Sequence, residues 1–161
     1  MLEKRPVVGW ITALFVVGCS AREAPVPVSE AEYFASPTSA GRSLPFSEAV
    51  GVGGLLFVSG QIGNQPGTLD LAPGGIAAET RQTLENMRAI LERHGSSLDR
   101  VVKCTVFLAD IGEWAAMNEV YRTFFPERPP ARSALGTSGL ALGARVEIDC
   151  IAMAGEEAQL P

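Results

Sequence analysis

The chain has 161 residues, of which 47% are hydrophobic, and a formal net charge of −5 at pH 7. This length suits one domain with a substantial core. The negative charge argues against a nucleic-acid partner, because phosphate binding requires a basic surface. His94 is the only histidine, and the three cysteines show no CxxC spacing. We therefore expect no metal site, and no motif indicates a cofactor.

The N-terminus predicts export. Lys4 and Arg5 precede an apolar run over residues 7–17, which is too short to span a bilayer. The run ends in Val16-Val17-Gly18-Cys19, which resembles a bacterial lipobox. We therefore predict a lipoprotein signal peptide over residues 1–18, with Cys19 lipidated and the protein anchored in a membrane facing the periplasm. The alternative is an ordinary secretory signal with an incidental cysteine.

Residues 19–43 are rich in Ala, Pro, Ser and Glu, which predicts a tether between the lipid and a domain over residues 44–154. The alternative for the distal part of the tether is a first strand or turn. The domain begins with two predicted strands, 47–52 and 55–59, joined at Gly53-Gly54. The glycine-rich and proline-containing segment 60–75 is predicted to be a loop.

Helical spacing predicts the first helix over residues 76–94, with Gly95 as its stop. Its buried stripe is expected to contain Ile76, Thr80, Leu84, Met87 and Leu91. Alternation predicts a strand over 101–109.

The segment Asp110-Ile111-Gly112-Glu113 resembles a capping box that opens a second helix, which is closed by Pro126. Two strands follow, 132–136 and 144–153, and residues 155–161 form a tail. The order ββαβαββ predicts an α+β fold with two helices on one face of a sheet. Because no chain remains to cover the other face, we expect self-association.

Cys104 and Cys150 lie in apolar, strand-like segments. Oxidation to a disulfide is open to an exported chain, but the favoured interpretation is that both are buried free thiols.

Two residues are candidates for chemistry. Arg132 follows two prolines that stiffen its approach, and arginine suits a bidentate grip on a carboxylate. Glu147 begins an alternating strand, and a carboxylate can orient or activate a water. The alternatives are a surface arginine and an ordinary solvent-facing glutamate. Gly60 ends a strand where the backbone can approach a ligand closely.

For three other residues the pattern favours a structural interpretation. Phe46 and Trp114 are interpreted as core residues, and Asn118 as a residue on the solvent face of the second helix.

A series of segments, in order, resembles the RidA (YjgF) family. They are Pro45–Val50, Ser59–Ile62, Gly74–Thr80, Leu84–Asn86, Val102–Leu108, Asn118–Tyr121, Pro130–Ser133 and Val146–Ile148. Each motif is weak when taken singly, but together they cover about residues 44–154.

The resemblance implies a chorismate mutase-like fold and a homotrimer with ligand clefts between subunits. It implies hydrolysis of small enamine and imine acids to 2-oxo acids and ammonia. Arg132 matches the arginine that binds the substrate carboxylate, Glu147 matches the acid that positions the water, and Gly60 matches a backbone position in the cleft. Phe46 and Asn118 become further candidates for substrate binding.

The chain departs from the family pattern at two positions. Ala134 replaces a frequent cysteine, and Phe46 replaces a frequent tyrosine. The alternative function is a non-catalytic periplasmic ligand-binding or chaperone-like module with the same cleft.

Overall fold

The computed structural model describes residues 30–36 and 44–155. The predicted signal peptide, Cys19 and most of the C-terminal tail lie outside the described residues. The described part contains six strands and two helices, which are β1 (Glu32–Ala35), β2 (Ser47–Val52), β3 (Leu55–Ile62), α1 (Ile76–Arg93), β4 (Val101–Leu108), α2 (Trp114–Phe124), β5 (Ala131–Gly136) and β6 (Val146–Met153).

All six strands form one mixed sheet in the order β1-β2-β3-β6-β4-β5. Every pair is antiparallel except β4 and β5, which are parallel and are connected through α2. The last strand in the chain therefore lies in the middle of the sheet. The predicted α+β class with two helices is confirmed, with one additional strand at the N-terminal edge.

The core lies between the helices and one face of the sheet. The predicted stripe of α1 is buried over its whole length, and Gly95 follows the helix with a φ of 70°. Such a φ suits glycine because it has no Cβ. On the opposite face Leu55, Phe57, Leu135 and Met153 are exposed. No described segment covers this apolar face, in agreement with the expectation from the sequence.

Strand β1 lies inside the segment that we predicted to be a tether. It agrees with the alternative given for the distal part of that segment, which was a first strand or turn. It pairs with β2, and its Phe34 ring stacks on the imidazole of His94 with centroids 4.2 Å apart. The buried Glu48 carboxylate contacts both His94, at 3.0 Å from Nε2, and the Arg93 guanidinium. These contacts join β1 and β2 to the C-terminal end of α1.

Cys104 and Cys150 form a disulfide, so the favoured interpretation as free thiols is wrong. Both residues are buried, as predicted, but β6 lies beside β4 and places the two cysteines directly opposite each other. Their Cα atoms are 4.1 Å apart. The sequence alone did not show that these two strands are neighbours.

Most predicted bounds lie within two residues of those in the structure, but two features differ further. Strand β3 continues to Ile62 instead of ending at Ser59, with an irregularity in its pairing to β6 between Val58 and Gln61. The Asp110 side chain accepts a hydrogen bond from the Gly112 amide in a short 3₁₀ turn, so the predicted capping box does not form.

Within the described residues, no helix has the length and apolar character needed to cross a membrane.

Candidate active site

Arg132 lies on β5 with its guanidinium packed against aromatic rings of α2. It is paired with Cys104 of β4, so its side chain lies on the sheet face that carries the helices. Its Cζ atom is 4.5 Å from the centroid of the Tyr121 ring and 5.8 Å from that of Trp114. Aromatic faces attract cations at such distances. Among the described residues, no carboxylate is paired with Arg132, so the guanidinium can bind an external anion.

A cleft of about 500 Å³ opens beside Arg132. Its lining joins α2 to the proline-rich segment before β5, and consists of Asn118, Tyr121, Arg122, Phe125, Pro126, Pro129, Pro130 and Arg132. The structure thus brings two predicted site residues, Arg132 and Asn118, into one cavity. Arg122 also lines the cleft, but its guanidinium is paired with Glu119. Arg132 is therefore the cation that remains available to a ligand there.

Tyr121 is a site residue that was not a candidate from the sequence, where it appears only as the last residue of the family-like segment Asn118–Tyr121. It is 4% exposed, and its buried hydroxyl has no hydrogen-bond partner among the described residues. Burial raises the pKa of the phenol to about 12, while the charge of Arg132 acts in the opposite direction. The ring therefore stays neutral at physiological pH. Its spacing of three residues from Asn118, which places both on one face of α2, was the available signal.

Glu147 lies on β6 in contact with Gly60 of β3. A Cβ atom placed on Gly60 would overlap Oε1 of Glu147 and would lie 2.9 Å from its Cδ. Partial burial raises the pKa of the Glu147 carboxyl, and the neighbouring negative charge of Asp149 raises it further. Because Gly60 has no side chain, the Glu147 carboxylate can occupy this space. The raised pKa means that the surroundings of Glu147 favour the protonated form of its carboxyl group.

Phe46 lies close to the same end of β3. The hydroxyl of Ser59 donates a 2.7 Å hydrogen bond to the carbonyl of Ser47, which joins the residue after Phe46 to the residue before Gly60. Phe46 is 54% exposed and Trp114 is 42% exposed, so the interpretation of both as core residues is wrong. The Trp114 ring lies beside Arg132.

The candidate residues form two groups on opposite faces of the sheet. The arginine half-site consists of Arg132, Tyr121 and Asn118, and the glutamate half-site consists of Glu147 and Gly60. Phe46 is connected to the glutamate half-site only through the Ser59–Ser47 hydrogen bond. Side chains alternate along a strand, and Cys150 of β6 shares the helix face with Arg132. Glu147, three residues before Cys150, therefore lies on the other face. Within one chain the structure does not bring Arg132 and Glu147 together.

Arg145 connects the elements that carry the two half-sites. Its backbone amide donates a 2.8 Å hydrogen bond to Oε2 of the buried Glu79 on α1. Its guanidinium binds Glu113, the residue before Trp114, with Nε 3.0 Å from Oε2. This side-chain hydrogen bond and the charge of Glu113 raise the pKa of Arg145. The start of β6 is thus fixed to both helices.

The described residues contain no group of three or more His, Cys, Asp or Glu side chains arranged to hold a metal ion.

The family model described as Endoribonuclease L-PSP matches residues 37–154 of the chain. The chain is 42% identical over 111 residues to the 2-iminobutanoate/2-iminopropanoate deaminase of Mus musculus, which covers 69% of this chain and 82% of the relative.

Solved structures show the same fold. The structure of YEO7 from yeast superposes with a TM-score of 0.71 at 38% identity and covers 78% of this chain and 99% of its own. Escherichia coli TdcF with bound serine superposes with a TM-score of 0.68 at 33% identity and covers 77% of this chain and 100% of its own. With a family model that spans most of the described chain and relatives at these identities, the protein belongs to the RidA (YjgF) family.

Proposed function

We propose that the protein hydrolyses reactive 2-imino acids, and the enamines that tautomerise to them, to 2-oxo acids and ammonia. The observation that carries this proposal is the state of Arg132. Its guanidinium lies on the Tyr121 ring, opens into a cleft and has no carboxylate partner among the described residues. A bidentate arginine contact orients a small carboxylate. The deaminase named in mouse and the serine bound to TdcF support a ligand of this class.

In the proposed reaction, Arg132 binds the substrate carboxylate and Glu147 binds a water molecule. Glu147 accepts a proton from the water as the oxygen forms a bond to the imine carbon. The proton passes to the nitrogen and gives a carbinolamine. Glu147 then accepts the hydroxyl proton of the carbinolamine and transfers it to the nitrogen as the carbonyl forms and the carbon–nitrogen bond breaks, which releases ammonia and the 2-oxo acid. The reaction consumes one water and needs no metal or cofactor. Positioning supplies most of the rate, because both reactants are held in reacting geometry.

Assembly completes the site in this proposal. Since the arginine and glutamate half-sites lie on opposite faces of one sheet, one ligand can reach both only when they come from two subunits. The exposed Leu55, Phe57, Leu135 and Met153 supply apolar area for such an association. We propose a homotrimer with three equivalent clefts, as the family resemblance implies.

We also propose that the protein is exported and anchored through lipid on Cys19. The basic start, the short apolar run and the lipobox-like Val16-Val17-Gly18-Cys19 support this. The Cys104–Cys150 disulfide adds support, because disulfides persist in oxidising compartments and are rare in the cytosol. The site then faces the periplasm.

The test is release of ammonia and 2-oxo acid from an imine that an amino acid oxidase generates in the cuvette, measured above spontaneous hydrolysis. The domain from residue 20 should accelerate both. Arg132→Ala should lower kcat/KM at least about tenfold, since a charge-assisted bidentate contact contributes roughly 1.5–3 kcal/mol. Arg132→Lys should recover little of the loss.

The matched control is Arg122→Ala. Arg122 lines the same cleft but is paired with Glu119, so its loss should change kcat/KM by less than about twofold. Sedimentation at micromolar concentration should show a trimer for all variants. A wild-type rate no greater than spontaneous hydrolysis on every imine would reject the hydrolase and favour a non-catalytic ligand-binding module, and equal accelerated rates for wild type and Arg132→Ala would reject the role of Arg132.

A further inference from the structure

The glutamate half-site lies where the pairing of its two strands is short. The ladder between β3 and β6 is irregular between Val58 and Gln61, and the last residue pair after this irregularity is Ile62 with Glu147. An irregularity locally disrupts the ladder and bends the strand. The position of Glu147 relative to Gly60 therefore depends on contacts from outside the two strands.

Helix α1 supplies such contacts to the end of β3. The Asn86 side chain donates hydrogen bonds to the carbonyl of Ile62, at 3.0 Å, and to that of Asn64, at 2.9 Å. Two turns earlier on the helix, the backbone of Glu79 lies against Gly63. A Cβ atom placed on Gly63 would come within 2.7 Å of the Glu79 Cα atom and carbonyl oxygen. The chain that continues β3 therefore runs directly over the Glu79 backbone.

The side chain of the same residue holds the start of β6. Glu79 is 5% exposed, and its Oε2 atom accepts a 2.8 Å hydrogen bond from the backbone amide of Arg145, two residues before Glu147. The Arg145 carbonyl accepts a 3.0 Å hydrogen bond from the amide of Ala109, the residue after β4. Burying a carboxylate is unfavourable unless it is hydrogen-bonded, so the bond to Arg145 fixes the direction of the Glu79 side chain.

Resting on the proposed function, we infer that Glu79 is a positioning residue for the reaction. Through the Arg145 amide it holds the start of β6, and with it the Glu147 carboxylate, against Gly60. Its backbone contacts the segment that continues β3, so one residue of α1 sets the separation of the two strands that form the glutamate half-site. Because Glu79 acts through the backbone of β6, a neutral side chain with a carbonyl oxygen at the same place can replace it.

The experiment measures kcat and KM on the imine that an amino acid oxidase generates from alanine, with rates normalised to folded protein. Glu79→Ala should lower kcat at least about fivefold, because small displacements of a reacting group are costly. Its KM should stay within about twofold of wild type, because Arg132 lies on β5 and keeps its contact with the substrate carboxylate. Glu79→Gln retains an acceptor for the Arg145 amide, so its kcat should stay within about twofold of wild type.

The matched control is Thr80→Ala. Thr80 is the next residue on α1 and is fully buried, but its hydroxyl donates a 2.7 Å hydrogen bond to the Ile76 carbonyl inside the helix. This variant loses buried atoms and a hydrogen bond of the same helix, and its kcat should remain that of wild type. Glu79→Leu, which fills the space without an acceptor, replaces Glu79→Ala if that variant does not fold.

Hydrogen exchange of the Arg145 amide, followed by NMR, tests the contact independently of activity. The amide should exchange slowly in wild type and in Glu79→Gln. In Glu79→Ala it should exchange about tenfold faster, as expected for the loss of one hydrogen bond.

Three results would overturn this inference and leave the hydrolase intact. They are a wild-type kcat in Glu79→Ala, an equal loss of kcat in Glu79→Gln or Thr80→Ala, and an unchanged exchange rate of the Arg145 amide in Glu79→Ala. Failure of the wild-type protein to accelerate imine hydrolysis would reject the proposed function itself, and the inference with it.

Discussion

The carboxylate of Glu147 occupies the space in which any other residue at position 60 would place its Cβ atom. The two residues lie on neighbouring strands, β3 and β6, next to the irregularity in their pairing. The glycine is therefore needed for the position of the acid, and its backbone freedom is not the reason for its presence. The close approach of the two strands makes Gly60 and Glu147 a single structural unit.

Gly60→Ala should lower kcat at least about tenfold, because the added methyl group displaces Glu147 and small displacements of a reacting group are costly. The control is Gly51→Ala on β2, where a Cβ atom would meet Phe34 at an ordinary 3.4 Å. Steady-state kinetics on a hydrolysable imine measures both variants. Wild-type kcat in Gly60→Ala would contradict the role given to this contact.

The raised pKa of Glu147 should appear in the acid limb of a plot of kcat against pH. The acid accepts a proton from water only when ionised, so kcat should rise with pH through a pKa above the ordinary 4.5. Burial raises this pKa most and Asp149 raises it further, so Asp149→Asn should move the limb to lower pH. Asp149→Glu keeps the negative charge and should leave the limb in place. A limb at the same pH in wild type and Asp149→Asn would contradict an effect of Asp149 on the titrating group.

Tyr121 should act through its ring and not through its hydroxyl. Tyr121→Phe removes a buried hydroxyl without a partner among the described residues, so stability should stay constant or rise and kcat/KM should change by less than about twofold. Tyr121→Leu removes the ring under Arg132 and should lower kcat/KM about threefold or more. Thermal melts and kinetics measure the pair. If Tyr121→Phe were as inactive as Tyr121→Leu, the hydroxyl would be the functional group.

The disulfide should contribute strongly to stability. Cys104 and Cys150 are separated by 46 residues, for which loop-closure entropy gives about 4 kcal/mol. The double variant Cys104→Ala and Cys150→Ala should therefore unfold at much lower denaturant concentration than the oxidised protein. Reduced, alkylated wild type serves as the comparison. Coincident midpoints for the oxidised protein and the double variant would show that the bridge does not form in solution.

Cys19→Ser should abolish labelling with a radioactive or alkyne-bearing fatty acid and leave the protein unprocessed or free of the membrane. The lipobox-like sequence around Cys19 is the basis for this expectation. Cys104→Ala, which removes a different thiol, should keep the label. If Cys19→Ser were attached to the membrane and processed as in wild type, the predicted lipid anchor at Cys19 would be wrong.

The sequence alone was sufficient to predict the helix and the strand in which a regular apolar pattern continues over many residues. The 3.6-residue spacing of Ile76 to Leu91 identified α1 and its buried face, and alternation identified β4. The pairing of distant strands could not be predicted in this way. No local pattern shows that β6 lies between β3 and β4, so the Cys104–Cys150 bridge was missed.

Candidate site residues could be named from the sequence, but their geometry could not be predicted. Family motifs pointed to Arg132 and Glu147, whereas alternation within single strands did not show that they lie on opposite faces of the sheet. Phe46 and Trp114 were assigned to the core because large apolar rings are usually buried. The exposure of these two rings depends on where a strand or helix begins and ends. The hydrophobicity of the ring does not encode that position.

The same disulfide closes a covalent ring that contains α2, β5 and the beginning of β6. Arg132 and Glu147 both belong to this ring, together with the proline-rich segment before β5 and the turn before β6. A single protease cut in either connection would open the polypeptide without releasing a fragment. The chain would then keep Arg132 and Glu147 on one covalent molecule after the cut.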